Sequence, residues 1–149
     1  MLIREIPADV VAAVRRGVVI PAQPLALNPQ RKFDPVRQQA MTRYFIDAGA
    51  GGVAVGVHST QFEIRDPNVA LFEPVLELVS EATDTWCRKR GKKVLKVAGT
   101  CGKTAQAVKE AQFAQSKGYH ACLLSLAAMA KSEVPEMIAH CREVARSCR

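Results

Sequence analysis

The chain has 149 residues, of which 48% are hydrophobic and 23% are charged, a balance typical of one globular domain with a core of its own. It contains no apolar run long enough to span a membrane, and its N-terminus lacks the apolar stretch of a signal peptide. The five cysteines show no CxxC spacing, so we expect no metal site, no disulfide framework and a cytoplasmic location. The net charge of +7 is not accompanied by aromatic residues interleaved with basic ones, so nucleic acid is not an expected partner.

A short helix is predicted over residues 8–16, and after it one pattern occurs four times: an apolar run, a polar or glycine-bearing loop, and an amphipathic helix. In the first unit the apolar run covers residues 17–21 and a long loop follows it. Asp34 is a suitable N-cap and Pro35 a suitable first helical residue. The first of the four helices is therefore predicted to begin there and to stop at Gly49.

The second unit has its apolar run at 52–56 and a helix predicted over 68–90. The third has the run 94–98, a glycine-bearing turn at 99–102 and a helix predicted over 103–117. Each of these helices is followed by a glycine, which is a common helix stop signal.

The fourth unit has its apolar run at 120–124, and Ser132 is predicted to open its helix. The residues of this helix that are predicted to face inward are Val134, Met137, Ile138, Cys141 and Val144.

Apolar runs that alternate with helices predict a parallel sheet covered by helices. Both a doubly wound open sheet and a closed barrel fit this pattern. Because a (β/α)8 barrel of the TIM type needs about 250 residues, four units in 149 residues predict half of one. We therefore expect an α/β fold made of the first four βα units of such a barrel, preceded by a short N-terminal helix. Residues 1–149 would form a single domain cut from a longer protein.

In either architecture the chemistry lies in the loops that follow the carboxyl ends of the strands. The most polar of these loops contains His58, Ser59 and Thr60. Hydroxyl and backbone N–H groups at a strand-to-helix turn can bind a carboxylate, and His58 could add a proton donor. The alternative is a loop in which Ser59 and Thr60 only satisfy the turn.

The third strand-end loop finishes in Gly102-Lys103-Thr104, as a phosphate-binding P-loop does. The full pattern requires a glycine where this chain has Val97. A nucleotide site at this turn is therefore one alternative, and a glycine-permitted tight turn into a helix is another. A weak anion site at Thr100 and Gly102 is a third.

Lys96 interrupts the third apolar run. A lysine inside a barrel has a lowered pKa and can form Schiff bases, so Lys96 is a catalytic candidate, although such a lysine more often extends its amine to the end of the layer. His120 opens a strand at the opposite end of the sheet and His140 lies on the last helix. Both histidines are predicted to be structural or exposed.

Two stretches of the chain resemble segments of a known family. Residues 47–56 are similar to the segment of dihydrodipicolinate synthases and N-acetylneuraminate lyases that ends their second strand in Gly-Thr-Thr-Gly-Glu. Residues 97–124 are similar to their third strand, third helix and fourth strand, and the resemblance as a whole covers residues 17–148. It implies a (β/α) barrel that binds a 2-oxo acid as a Schiff base on a strand lysine, with the substrate carboxylate held by the Gly-Thr-Thr loop.

The resemblance also assigns positions. Val57 and His58 stand at the two threonines, Ser59 at the following glycine and Thr60 at the glutamate. Residues 126–128, Leu-Ala-Ala, occupy the region of a tyrosine pair that joins a proton relay in the family. The Schiff-base lysine and the tyrosine that protonates it belong to later strands, which the resemblance places outside this chain.

The leading functional hypothesis is half of a Schiff-base lyase, aldolase or synthase acting on a 2-oxo or related carboxylic acid, with no cofactor. His58, Ser59 and Thr60 would hold the carboxylate, and the chain alone would be inactive. The alternatives are a non-catalytic carboxylate-binding half-barrel and a nucleotide-dependent enzyme that uses the Gly102-Lys103-Thr104 turn. Because a half-barrel has two unpaired strand edges, we expect either a homo-oligomer or pairing with the missing half-barrel.

Overall fold

The computed structural model describes residues 7–148. Strands and helices alternate as predicted, and short 3₁₀ turns occupy two of the strand-end loops. Among the described residues no helix combines the length and the apolar character that crossing a membrane requires. The elements in chain order are α1 (Ala8–Arg16), α2 (Pro35–Asp47), β1 (Gly52–Val55), α3 (Phe72–Arg90), β2 (Leu95–Thr100), α4 (Thr104–Ser116), β3 (Ala121–Leu124) and α5 (Val134–Ser147).

The three strands form one parallel sheet in the order β1-β2-β3. The register aligns Ala54 with Val97 and Val97 with Ala121, so the carboxyl ends of all three strands lie at the same edge. Parallel pairing requires a crossover between successive strands, and α3 and α4 supply it. The predicted α/β class is confirmed.

The first apolar run takes the place of a first strand without forming a regular one. Residues 19–23, which we call the edge segment, run parallel to β1. The N–H of Ala54 donates to the carbonyl of Pro21 (3.0 Å), and the N–H of Gln23 donates to the carbonyl of Ala54 (2.8 Å). Pro21 and Pro24 have no N–H to donate, which limits this segment to an isolated bridge at the edge of the sheet.

Most predicted helix boundaries agree with the structure. The Asp34 side chain caps α2 by accepting the N–H of Arg37 (2.9 Å). α3 is the largest departure, since it begins at Phe72 and not at Asn68. The residues before it form a turn in which the Asp66 carboxylate accepts the N–H of Asn68 (2.7 Å), and this turn displaces the helix start.

The main core lies between the sheet and its helices. Val75, Leu76 and Val79 of α3 pack against Val53 and Val55 of β1, and all five are fully buried. Since side chains alternate along a strand, the other face of the sheet, the inner face, carries Ala54, Val97, Ala121 and Leu123. In a complete barrel this inner face is the interior.

The expected inward-facing residues of α5 are only partly confirmed. Val144 is buried, and Met137 and Cys141 are half-buried. Val134 and Ile138 are exposed, which corrects the prediction for these two positions. A fourth helix in a barrel packs against the following unit as well as the preceding one. The described residues contain no following unit, so this side of α5 has nothing to pack against.

Candidate functional site

A pocket of about 410 Å³ opens at the carboxyl ends of the strands. This is the end of a parallel barrel at which active sites form, because the strand-end loops converge there. We call it the strand-end pocket. Its lining residues come from the edge segment, the loop after β1, the ends of β2 and β3, and the start of the loop after β3: Ala22, Gly56, Val57, His58, Ser59, Phe62, Gly99, Thr100, Leu123, Leu124 and Ser125.

His58 and Ser59, predicted to bind substrate, both line the strand-end pocket. They lie in a short 3₁₀ turn directly after β1, and both are exposed. The His58 ring meets the Phe62 ring edge-on, with 6.4 Å between the ring centroids. Within the described residues the Ser59 hydroxyl forms no hydrogen bond. The pocket therefore has an imidazole and a hydroxyl available to a ligand.

Thr60 is not part of the pocket, although it was predicted alongside His58 and Ser59. Its side chain is fully buried. The Thr60 hydroxyl donates to the carbonyl of Gln23 (2.7 Å) and accepts the N–H of Gly56 (3.0 Å). With both functions of the hydroxyl used, Thr60 joins the edge segment to the end of β1 and has no free group for a substrate.

The weak anion candidates Thr100 and Gly102 are separated by the structure. Thr100 ends β2, lines the pocket and is buried, and its hydroxyl has no partner in the described part of the chain. Gly102 lies outside the pocket lining and has a left-handed backbone (φ 87°) that suits glycine. Next to Thr100 the pocket wall continues with Ser125, whose N–H donates to the Thr100 carbonyl (2.8 Å).

The turn that resembles a P-loop is occupied by internal contacts. The Thr104 hydroxyl is hydrogen-bonded to Nδ1 of His140 (2.9 Å), and His140 is buried. The N–H of Cys101 donates to the carboxylate of Glu110 (3.0 Å), so it does not point to an exogenous anion. These contacts favour the reading of a glycine-permitted turn, and they give His140 the structural role predicted for it.

Lys96 lies on the helix side of the sheet, away from the strand-end pocket. Its Nζ contacts both oxygens of the Asp84 carboxylate at 2.8 Å and the hydroxyl of Ser80 at 2.9 Å. Its side chain is 5% exposed. His120 accepts the backbone N–H of Lys96 on Nδ1 (2.9 Å), so it is structural. This placement satisfies the Lys96 charge within the fold and gives it no route to a ligand in the pocket.

A buried ion pair beside the pocket is absent from the sequence predictions. Nε of Arg65 donates to both oxygens of Glu110, at 2.9 and 3.0 Å, and both side chains are less than 10% exposed. The Arg65 guanidinium also lies 4.5 Å from the centroid of the Phe72 ring. One signal could have identified it: Glu110 stands on the same stripe of α4 as Ala107, Ala111 and Ala114, where a charge needs a buried partner.

The ion pair holds the pocket-lining ends of β1 and β2 together. Nη2 of Arg65 donates to the carbonyl of Gly56 (2.9 Å) and to the carbonyl of Gly99 (3.0 Å). These two backbones approach so closely that a Cβ on Gly99 would lie 2.2 Å from the Gly56 oxygen. The absence of a side chain at Gly99 thus lets Arg65 bridge the ends of β1 and β2.

Cys101 lies next to this ion pair. Burial raises the pKa of the Cys101 thiol, against the opposing effect of the Arg65 charge. A thiol with a raised pKa is a weak nucleophile at neutral pH. The Cys101 thiol is therefore poorly suited to nucleophilic attack.

No protein-family model matches the sequence, and no curated protein matches it. Solved structures do match the fold. Dihydrodipicolinate synthase from Agrobacterium tumefaciens str. C58 aligns with a TM-score of 0.71 at 20% identity, over 91% of this chain and 43% of its own. A catalytic lysine mutant of sialic acid aldolase from Ruminococcus gnavus aligns with a TM-score of 0.67 at 20% identity, over 88% of this chain and 40% of its own.

A prophage protein of the dihydrodipicolinic acid synthase family from E. coli K12, solved in complex with pyruvate, gives a TM-score of 0.67 at 17% identity, over 87% of this chain and 41% of its own. The chain thus spans less than half the length of the structures it matches. Its fold is a partial barrel that corresponds to the N-terminal half of these proteins. The family resemblance of the sequence is confirmed at the level of the fold.

Proposed function

We propose that this half-barrel is the carboxylate-binding part of a Schiff-base lyase, aldolase or synthase that acts on a 2-oxo or related carboxylic acid. The observation that carries the proposal is the strand-end pocket, where His58 and Ser59 are both available to a ligand. They follow β1 at the positions that the sequence resemblance assigns to a carboxylate-binding loop. A structural neighbour solved with pyruvate supports the class of ligand.

In this proposal His58 donates a ring N–H to one carboxylate oxygen, and the Ser59 hydroxyl donates to the other. Two donors fix the orientation of a carboxylate as well as binding it. Leu123 and Phe62 give the pocket apolar walls that can contact the rest of a small substrate. In this proposal the catalytic lysine lies outside this chain. Its amine would condense with the substrate carbonyl to form the imine, and one water molecule would be released. Further βα units that carry it would also cover the inner face of the sheet.

Carboxylate binding by this chain tests the proposal directly. Pyruvate titrated into the ¹⁵N-labelled protein should shift the amide signals of the loop after β1, with saturation. His58→Ala and Ser59→Ala should each weaken the affinity at least about tenfold, the loss expected for one charge-assisted hydrogen bond. Ser116→Ala, which removes an exposed hydroxyl at the far end of α4, is the matched control and should leave the affinity unchanged. Saturable binding whose affinity is the same in the parent protein and in both pocket variants would contradict the proposed site.

A second candidate function is a non-catalytic carboxylate-binding module, which the loss of the tyrosine pair of the related family at residues 126–128 favours. Lys96, engaged by Asp84, lies away from the strand-end pocket, and the region of the family's tyrosine pair is Leu-Ala-Ala. Borohydride reduction in the presence of pyruvate distinguishes the two functions, because it converts a Schiff base on a lysine into a stable adduct. A longer protein that contains further units should show a stable adduct on a lysine if it is a lyase and no adduct if it is a binding module. This chain alone should show none in either case.

A further inference from the structure

The strand-end pocket is polar at one end and apolar along much of the remaining wall. His58 and Ser59 follow β1 at the polar end. Phe62 lies beside the His58 ring, and Leu123 lies on β3, two strands away from β1 in the sheet. Leu123 is 61% exposed and Phe62 is 42% exposed, so both retain apolar surface that a ligand can cover. A ligand that matches this wall has one polar end and one apolar end.

The carbonyl groups on this part of the wall are used within the fold. Those of Gly56 and Gly99 both accept Nη2 of Arg65, at 2.9 and 3.0 Å. The carbonyl of Thr100 accepts the N–H of Ser125 (2.8 Å). Polar groups that could have bound a second polar part of the ligand are therefore engaged by the protein itself.

The remaining side chains add little polarity to the wall. Ala98 of β2 packs in the core between sheet and helices, and alternation along the strand puts the Thr100 side chain on the same side. The Ser125 hydroxyl accepts the N–H of Ala127 (3.4 Å). Among the described residues that line the pocket, none is Asp, Glu, Lys or Arg. A second charge on the ligand would lose hydration at this wall without gaining a partner.

The pocket has room for more than a three-carbon acid. Its volume of about 410 Å³ falls within the range of small-molecule sites, about 300–1,000 Å³. Small residues line part of it, namely Ala22 of the edge segment, Gly56 and Gly99. Leu123 is the register partner of Gly99, so its side chain stands next to the space that these small residues leave.

We propose that the strand-end pocket selects 2-oxo acids with an apolar side chain, and that Leu123 is the specificity-determining residue. His58 and Ser59 hold the carboxylate, and the hydrocarbon chain lies against Leu123 and Phe62. This inference rests on the proposed carboxylate-binding function and adds the substrate class to it. Because each buried methylene group strengthens binding about fourfold, the preference grows with the length of the chain.

A homologous series of ligands measures this preference. Pyruvate, 2-oxobutanoate, 2-oxopentanoate and 2-oxohexanoate are titrated separately into the ¹⁵N-labelled protein, and each added methylene should tighten binding about fourfold. 2-Oxoglutarate has as many carbons as 2-oxopentanoate but carries a second carboxylate, and it should bind at least about tenfold more weakly. Equal affinities along the series would overturn the proposal, and so would 2-oxoglutarate that binds as tightly as 2-oxopentanoate.

Variants at Leu123 test the assigned residue. Leu123→Ala should lower the ratio of the 2-oxohexanoate affinity to the pyruvate affinity at least about fivefold, since the chain loses its apolar contact. Leu123→Lys should reverse the preference toward 2-oxoglutarate, whose second carboxylate gains a charged partner. Leu123 is exposed, so the fold should survive, which circular dichroism checks. Ile138→Ala, at an exposed apolar position outside the pocket lining, is the control and should leave the ratio unchanged. A ratio that Leu123→Ala leaves unchanged would overturn the assignment.

Hexan-2-one separates failure of this inference from failure of the proposed function. It keeps the carbonyl and the four-carbon chain of 2-oxohexanoate and has a methyl group in place of the carboxylate. It should bind at least about tenfold more weakly than the acid. Equal affinity of ketone and acid would overturn the carboxylate-binding function, and the inference with it. Acids that bind through His58 with no dependence on chain length would overturn the inference alone.

Discussion

The two sides of this half-barrel differ in how completely they are packed. Around β1 and α3 the apolar side chains pack into one core, in which Val53, Val75 and Leu76 are fully buried. Around β3 and α5 the same alternation of strand and helix leaves Leu123, and the helix residue Ile138, exposed. In the sequence both sides consist of the same unit, an apolar run followed by an amphipathic helix. The difference shows that burial in a parallel barrel depends on the next unit as much as on the residue itself.

The largest effect is expected from breaking the buried ion pair that stabilises the packed side. Arg65→Ala leaves the Glu110 carboxylate buried without a counter-ion and removes the bridge to Gly56 and Gly99. Such a change costs about 3–5 kcal/mol of unfolding free energy. Urea denaturation monitored by circular dichroism measures it. The paired replacement Arg65→Met with Glu110→Leu should recover a large part of the loss, and no recovery would show that the bridged carbonyls matter more than the charge.

A smaller effect should distinguish the two sides directly. Leu76→Ala creates a cavity in the core and should cost about 2–5 kcal/mol. Ile138→Ala removes a similar volume from an exposed helix face, and for the monomer it should change the unfolding free energy by less than about 0.5 kcal/mol. Denaturation below the dissociation concentration of any dimer gives the monomer values. Equal costs at the two positions would mean that α5 is packed more tightly than its exposure indicates.

The smallest effect expected is the pH dependence of the unfolding free energy that His120, directly before β3, produces. Desolvation, followed by the charge of Lys96, lowers the pKa of His120, whose Nδ1 must be unprotonated to accept the Lys96 N–H. The unfolded chain then binds the proton more readily than the folded chain. Stability is therefore full above the ordinary imidazole pKa of about 6.5 and falls as the pH drops from there toward the lowered value. The unfolding free energy between pH 7.5 and 5.5 should fall less in His120→Gln than in the parent protein, and identical slopes would contradict this role.

Part of the candidate site could be predicted from the sequence. The loop after β1 was located by its polar residues at the end of an apolar run, and His58 and Ser59 line the pocket as expected. Thr60 follows the same pattern, yet its hydroxyl is used by Gln23 and Gly56. The pattern places a residue in a loop. It does not tell which side of the loop the side chain takes, because Gln23 lies 37 residues away.

The sequence by itself determined the alternation of strands and helices, the cap at Asp34 and the end of the sheet at which the pocket lies. These features depend on local periodicity and on residues a few positions apart. Only the tertiary structure decided that Lys96 faces Asp84, that Arg65 joins Glu110, and that one side of α5 lies open. Each of these features depends on which distant segments of the chain become neighbours in the fold and on which neighbours are missing. The local hydrophobic periodicity of the sequence contains no information about either.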